Sequence, residues 1–200
     1  MNVLVTQSAP DFQAGAVLSD GSLVDHFSLA SHIRNRYALL VFYPFDFSFV
    51  APTELLALDH RLPAFQSKDT EVIAISTDSA YAHQAWRALA PEKGGVGPLR
   101  FPMVADVGGD IMRAYGVAHP DKIPLRSIFL LDKDRVIRHQ VVNDLPLGHN
   151  LDESLRMVDA LTHHQAHGEV CPAGWQQGQE AIEPTAQGTA DYLSQHGAAL

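Results

Sequence analysis

The sequence predicts an α/β domain built on a mixed sheet. Three observations lead there. Buried-strand runs at 37–43 and 71–76 are each followed by helical periodicity. A hairpin pattern over 126–142 is followed by one more helix. A 46% hydrophobic fraction in 200 residues is enough for one core and a tail.

The elements follow in order. Within 14–29, Asp20-Gly21 separates two short apolar runs, a hairpin signal. The next stretch, Ser28-Leu-Ala-Ser-His-Ile-Arg, fits a short helix. Tyr37-Ala-Leu-Leu-Val-Phe-Tyr43 is rich in β-formers and bounded by Pro44, so it reads as a buried central strand. The loop after it carries Phe45, Phe47 and Phe49, more apolar surface than a solvated turn wants. Pro52 suits the first turn of a helix, where its missing N–H costs nothing. Leu55, Leu56, Leu58, Leu62 and Phe65 then give a helical stripe, so a helix is expected over about 52–67, beginning near Ala51 or Pro52.

Residues 71–76 are the next buried strand, and Ser79 can cap a helix over 81–90 that brings His83 and Trp86 within one turn. Residues 91–98 form a loop around Gly94-Gly-Val-Gly97. No strand leads into it and no long helix follows, so it is not a phosphate-binding fingerprint. A short strand at 101–105 and a short helix at 110–115, stopped by Gly116, come next. Residues 126–131 and 136–142 flank a turn and pair as a hairpin. Asn150 caps a helix from Leu151 to about His167, which Gly168 ends. Beyond Cys171 the pattern fades, save for a short helix at 190–196.

Composition narrows the function classes. A net charge of −9 with no basic patch argues against a nucleic-acid partner. No run of about 18 apolar residues exists, so no membrane span is expected. No secretory pattern opens the chain, and a single cysteine, Cys171, excludes an intrachain disulfide framework; a reducing, cytoplasmic location is expected.

Chemistry is expected where the strand at 37–43 gives way to the helix at 52. The free N–H groups and the dipole of a helix start favour an anion. Ala51 stands where a cap or reactive group belongs, and on the residues alone it reads equally as a small side chain in a crowded turn. A second constellation, His163, His164, His167 and Cys171, invites a zinc reading. Gly168 ends the helix before Cys171 can join, so a solvated, His-rich helix end is expected and no metal.

Pro44-Phe-Asp-Phe-Ser48-Phe-Val-Ala51-Pro-Thr-Glu54 resembles the Pro-x-x-x-Thr/Ser-x-x-Cys active-site motif of peroxiredoxins. It is most similar to the typical two-cysteine group, which includes the C subunit of alkyl hydroperoxide reductase and the thiol-specific antioxidant proteins. Arg126 in Pro124-Leu-Arg-Ser-Ile-Phe matches that family's active-site Arg, and His167-Gly-Glu-Val-Cys171-Pro-Ala-Gly-Trp175 resembles its resolving-cysteine segment. Gly94-Gly-Val-Gly97 is similar to its Gly-Gly-Leu-Gly loop, and Tyr192-Leu193 departs slightly from its Tyr-Phe pair. Two further departures lie inside the motif: Ser48 replaces the commoner Thr, and Ala51 replaces the peroxidatic Cys.

The resemblance implies a thioredoxin-like fold with peroxiredoxin insertions over 1–167 and a C-terminal arm over 168–200. It implies a parent enzyme that reduces hydrogen peroxide and organic hydroperoxides through a sulfenic acid at position 51. A disulfide to Cys171 of a second subunit then forms. Ser48 and backbone N–H groups would hold the peroxide, Pro44 would exclude water, Glu54 would orient Arg126, and Arg126 would favour the thiolate. Thioredoxin or a flavoprotein reductase would supply electrons, and no cofactor is implied. Homodimers paired through edge strands would assemble into a decamer. Phe45, Phe47, Phe49 and Tyr81 are candidates for contacts between dimers or, equally, for core packing. The chain as written is expected to be inactive, a Cys-to-Ala change at position 51 in such an enzyme. The alternative is a natural, non-catalytic, ring-forming, chaperone-like protein.

Overall fold

The apolar run that follows Arg36 is buried at every position from Tyr37 to Phe42. A computed structural model describes residues 3–200 and places this strand, β3 (Tyr37–Phe42), inside a seven-stranded sheet. The other strands are β1 (Gln13–Val17), β2 (Leu23–Ser28), β4 (Thr70–Ser76), β5 (Met103–Ala105), β6 (Arg126–Leu131) and β7 (Ile137–Asn143), in the spatial order β2-β1-β5-β4-β3-β6-β7. β3, β4 and β5 run parallel. β6 joins β3 antiparallel, and the β6–β7 and β1–β2 hairpins extend the two sides. This mixed sheet with flanking helices is the thioredoxin-like arrangement expected above.

The helices are α1 (Leu29–Ile33), α2 (Ala51–Gln66), α3 (Ala80–Arg87), α4 (Asp110–Ala114), α5 (Leu151–His167) and α6 (Ala186–His196). Because strand side chains alternate between faces, β3 sends Leu40 and Phe42 to one side. There they join Ile73, Ile75, Phe129, Leu131 and Tyr115 in a single buried cluster. Leu39 and Val41 lie on the opposite face, and Leu55, Leu58, Leu62 and Phe65 of α2 are buried as well. Pro63 interrupts the hydrogen-bond ladder of α2, because it has no N–H to give to Asp59. Arg100 answers that carbonyl instead, its Nη2 donating to the Asp59 oxygen at 2.5 Å.

Ser79 caps α3 as expected, and Ser28 caps α1, each hydroxyl accepting an N–H three residues on, at 3.2 and 3.3 Å. Two helix boundaries differ from expectation by three residues or more. α3 stops at Arg87 rather than running to 90, and a 3-10 turn at Pro91–Lys93 follows before Gly94. α6 begins at Ala186 rather than 190, because the Thr185 hydroxyl accepts the Gly188 N–H at 2.9 Å. Gly188, a poor helix former in that first turn, hides this cap from a propensity reading.

The chain forms two compact units, one ending at Leu151 and one spanning Asp152–Leu200. The second holds most of α5, an irregular segment closed by backbone hydrogen bonds between Val170 and Ile182 (2.9 Å each way), and α6. Among the described residues, no helix is long and apolar enough to cross a membrane.

Candidate active site

The site is built where β3 ends and α2 begins. The connecting loop is tied down from below. The Tyr43 hydroxyl donates to Asp46 Oδ1 at 2.8 Å, and His83 Nδ1 on α3 lies 2.8 Å from Asp46 Oδ2. The second ring nitrogen of His83 lies 3.3 Å from the Val104 carbonyl on β5. The Asp46 N–H donates to Asp78 Oδ2, which also takes the Ser76 hydroxyl (2.8 and 2.7 Å). Burial pushes the Asp46 carboxyl up, against the opposing pull of the His83 contact. These ties hold Phe47 at φ 57°, a left-handed conformation that costs a bulky residue about 1–3 kcal/mol. Its ring rests on Trp86 with centroids 5.7 Å apart.

Above this anchored base, α2 starts without a cap. Val50 at the N-cap position makes no side-chain hydrogen bond to the helix, and Pro52 in the first turn has no N–H. Ala51 opens the helix and is fully buried. The positive end of the dipole therefore faces a methyl group where an anion would be stabilised.

Arg126 reaches the same region from the sheet. Ser127 of β6 pairs with Phe42 of β3, so Arg126 emerges beside the end of β3. Its guanidinium is buried, with Nε donating to the Leu145 carbonyl at 2.6 Å and Nη1 to Glu54 Oε2 at 2.5 Å. Glu54 lies three residues after Ala51 on α2, so the two share a helix face with Cβ atoms about 5–6 Å apart. The Glu54 carboxylate thus holds the guanidinium beside the first turn of α2, the turn that Ala51 opens. Burial alone would raise the Glu54 carboxyl. Two hydrogen bonds from His149, one from the ring and one from the backbone, together with the Arg126 charge, hold it below the usual carboxylate range.

A pocket of about 460 Å³ opens at this point. Ser48 and Arg126 are its polar members. Pro44, Phe45, Phe49 and Val50 wall one side, and Ile123, Leu145 and Pro146 complete it. The Ser48 Oγ is buried and has no hydrogen-bond partner among the described residues. A buried hydroxyl left unmade is costly, at about 1–3 kcal/mol, and marks a place where another molecule's oxygen can be met.

The structure thus joins Pro44, Ser48 and Arg126 in one pocket and pairs Arg126 with Glu54, while Ala51 is buried on α2 between Val50 of the pocket wall and Glu54. Cys171 lies in the second unit, half-buried, with its Sγ 3.6 Å from the Ala160 carbonyl. Burial pushes its thiol up, Arg156 opposes this and Glu169 adds to it. The neighbouring histidines have partners of other kinds. His163 Nε2 meets Glu169 Oε2 at 2.8 Å, its ring lies on Trp175 and His167, and His164 Nδ1 donates to the Glu169 carbonyl at 2.7 Å. Among the described residues no three His, Cys, Asp or Glu side chains converge as a metal site requires.

Sequence reasoning missed His149. It sits in a loop with no periodicity to mark it as buried, yet both its backbone N–H and its Nδ1 meet Glu54 Oε1 at 2.9 Å. Phe45, Phe47 and Phe49 in the loop and Tyr81 on α3 proved exposed rather than packed in the core, at 44%, 53%, 97% and 73%.

Residues 5–140 match the model of the AhpC/TSA family, and residues 160–195 match the C-terminal domain of 1-Cys peroxiredoxin. Alkyl hydroperoxide reductase C of Helicobacter pylori is 50% identical over 198 residues, covering 99% of this chain and all of the relative. Peroxiredoxin-2 of Mus musculus is 41% identical over 98% of each chain. Among solved structures, reduced 2-Cys peroxiredoxin of Plasmodium vivax is similar at a TM-score of 0.93 and 40% identity. It covers 96% of this chain and 100% of that one.

Proposed function

Because the chain belongs to the AhpC/TSA family of thiol-dependent peroxidases, we propose that the pocket beside Ala51 is a peroxide site whose attacking sulfur has been replaced by a methyl group. The observation that carries this is the buried, partnerless Ser48 hydroxyl in one pocket with the Arg126 guanidinium, at the uncapped start of α2.

The chemistry follows from the charges. A thiolate at position 51 would attack the terminal oxygen of a hydroperoxide. The O–O bond breaks, sulfur takes OH to become a sulfenic acid, and the leaving oxygen departs as alkoxide or hydroxide and collects a proton. Negative charge moves from sulfur onto oxygen, and the helix N–H groups, Arg126 and Ser48 would stabilise it there. Glu54 holds the guanidinium in place, and Pro44 with its apolar neighbours keeps water out. The apolar walls suit organic hydroperoxides as well as hydrogen peroxide. The Cys171 thiol of a second subunit, in the arm from 168 onward, would then condense with the sulfenic acid, releasing water and forming a disulfide that thioredoxin or a flavoprotein reductase reopens. As it stands the chain has no nucleophile at position 51, so covalent catalysis is lost.

Ala51→Cys is the test. With excess dithiol, the folded variant is expected to consume hydrogen peroxide while the unaltered chain leaves it untouched. A flat trace from the folded variant overturns the reading.

Assembly into a ring of homodimers is part of the proposal. Beyond Ile137, whose backbone N–H and carbonyl are taken by Gln7 and Thr6, β7 is the last strand on its side of the sheet and offers an edge for pairing, and the exposed Phe45, Phe49 and Tyr81 offer an apolar surface for a second contact. Phe49→Asp is expected to reduce the sedimenting species from decamer to dimer; an unchanged mass contradicts this contact. The same aromatics, together with the methyl at 51, favour a second reading, a non-catalytic ring that holds unfolded clients. It requires no turnover from Ala51→Cys and suppressed aggregation of a denatured client by the unaltered chain.

A further inference from the structure

Among the described residues, two buried side-chain atoms around this site have no hydrogen-bond partner: Ser48 Oγ and His149 Nε2. The peroxide reading uses the first and leaves the second unexplained. His149 is only 3% exposed. Its loop is fixed at several points. Asn143 Nδ2 donates to the Leu147 carbonyl at 3.1 Å, and the Leu145 carbonyl takes Arg126 Nε. Gly148 lies so close to α2 that an added Cβ would come within 3.2 Å of Val50 Cγ1 and 3.7 Å of Glu54 Oε1. The imidazole therefore has little room to move relative to Glu54.

The hydrogen-bond partner settles the tautomer. Glu54 Oε1 is an acceptor, so the proton of neutral His149 sits on Nδ1 and Nε2 is bare. Acid can add a proton only at Nε2, and that converts a neutral donor into a cation against Glu54. The charged groups facing His149 are Glu54 from α2 and, through Glu54, Arg126 from β6. With His149 neutral, the Glu54–Arg126 pair sums to zero. With His149 protonated, the cluster carries one net positive charge beside the first turn of α2, on the order of 10 Å from position 51.

Resting on the peroxidase reading above, we propose that His149 is a positioning residue whose proton sets the net charge of the Glu54–Arg126 clamp, and through it the readiness of a sulfur at position 51 to ionise. Glu54 relays the effect, so His149 needs no contact with substrate. A unit charge at this range and an effective dielectric of about 20 changes the thiolate fraction by about ten-fold or more.

The experiment compares Ala51→Cys/Cys171→Ser chains carrying His149, His149→Arg or His149→Gln. It measures iodoacetamide alkylation from about pH 5 to 8, the range in which histidine charge changes. At the acid end the His149→Arg chain is expected to react about ten-fold faster than His149→Gln. The chain with His149 is expected to follow the Arg variant in acid and the Gln variant in alkali. Three superimposed profiles overturn the proposal. If the variants misfold, ring ¹⁵N shifts of the unaltered chain decide instead. The proposal requires the Nδ1–H tautomer at alkaline pH and proton uptake at Nε2, and an Nε2–H tautomer overturns it. Failure here is separable from failure of the peroxidase reading: that reading falls if Ala51→Cys shows no turnover, whereas this one falls with turnover intact.

Discussion

In a chain carrying Ala51→Cys, Arg126→Met is expected to slow the reaction with hydrogen peroxide by about 10²–10³-fold, the loss typical of removing one preorganised charge-stabilising donor. Arg126 is fixed before any substrate arrives. Its Nε is committed to the Leu145 carbonyl in a partly buried contact and its Nη1 to Glu54 in a buried one. A cation held this way loses no freedom when charge moves from sulfur to the leaving oxygen. Arg126→Lys is expected to fall between, since it keeps the charge but cannot make both contacts with one planar fork. Stopped-flow measurement of the second-order rate constant checks this. Equal rates for Arg, Lys and Met would remove Arg126 from the chemistry.

The second large effect is on stability. Glu54 and Arg126 are a buried pair, at 5% and 3% exposure. Glu54→Ala is expected to destabilise the fold by about 3–5 kcal/mol, because it leaves a guanidinium buried without its counter-ion. For a chain of this size each kcal/mol moves the melting temperature by about 2–4 °C, so a fall of about 6–20 °C is expected. The paired change Glu54→Leu with Arg126→Met is expected to recover part of that loss, since no charge is then stranded, although the His149 donors still lose their acceptor. The pH dependence has a definite sign. The Glu54 carboxyl is held below its unfolded value of about 4.3. Its stabilisation is therefore fully present above that value and is lost as pH falls through the lower, folded one. The difference in stability between the native chain and the paired variant should shrink in acid. Calorimetry at several pH values checks it. A difference that grows below about pH 4 contradicts the assignment.

Most of this architecture was legible in the sequence because the signals were local. The strand at 37–42 is apolar at nearly every position and is buried on both faces, as a central strand must be. Ser79 announced a helix start that the structure keeps. The start of α2 at Ala51 followed from Pro52 alone. What sequence could not show was long-range and polar. His149 bonds to a residue 95 positions away, and His83 to one 37 positions away. Neither pairing leaves a period or a propensity behind. The exposure of Phe49 was hidden for a related reason: a loop aromatic reads alike whether it is buried by its own chain or left for a second copy.

The account's central claim is that the start of α2, with Arg126 beside it, is built to hold a negative sulfur. Titrating the thiol of Ala51→Cys/Cys171→Ser by its thiolate absorbance tests that with no substrate, reductant or partner in the way. A pKa well below the free-thiol value of about 8.5, and within roughly 3.5–7.5, is the expected result. A value at or above about 8.5 in the folded protein would mean that burial outweighs the helix start and the guanidinium, and the peroxide site would not be one.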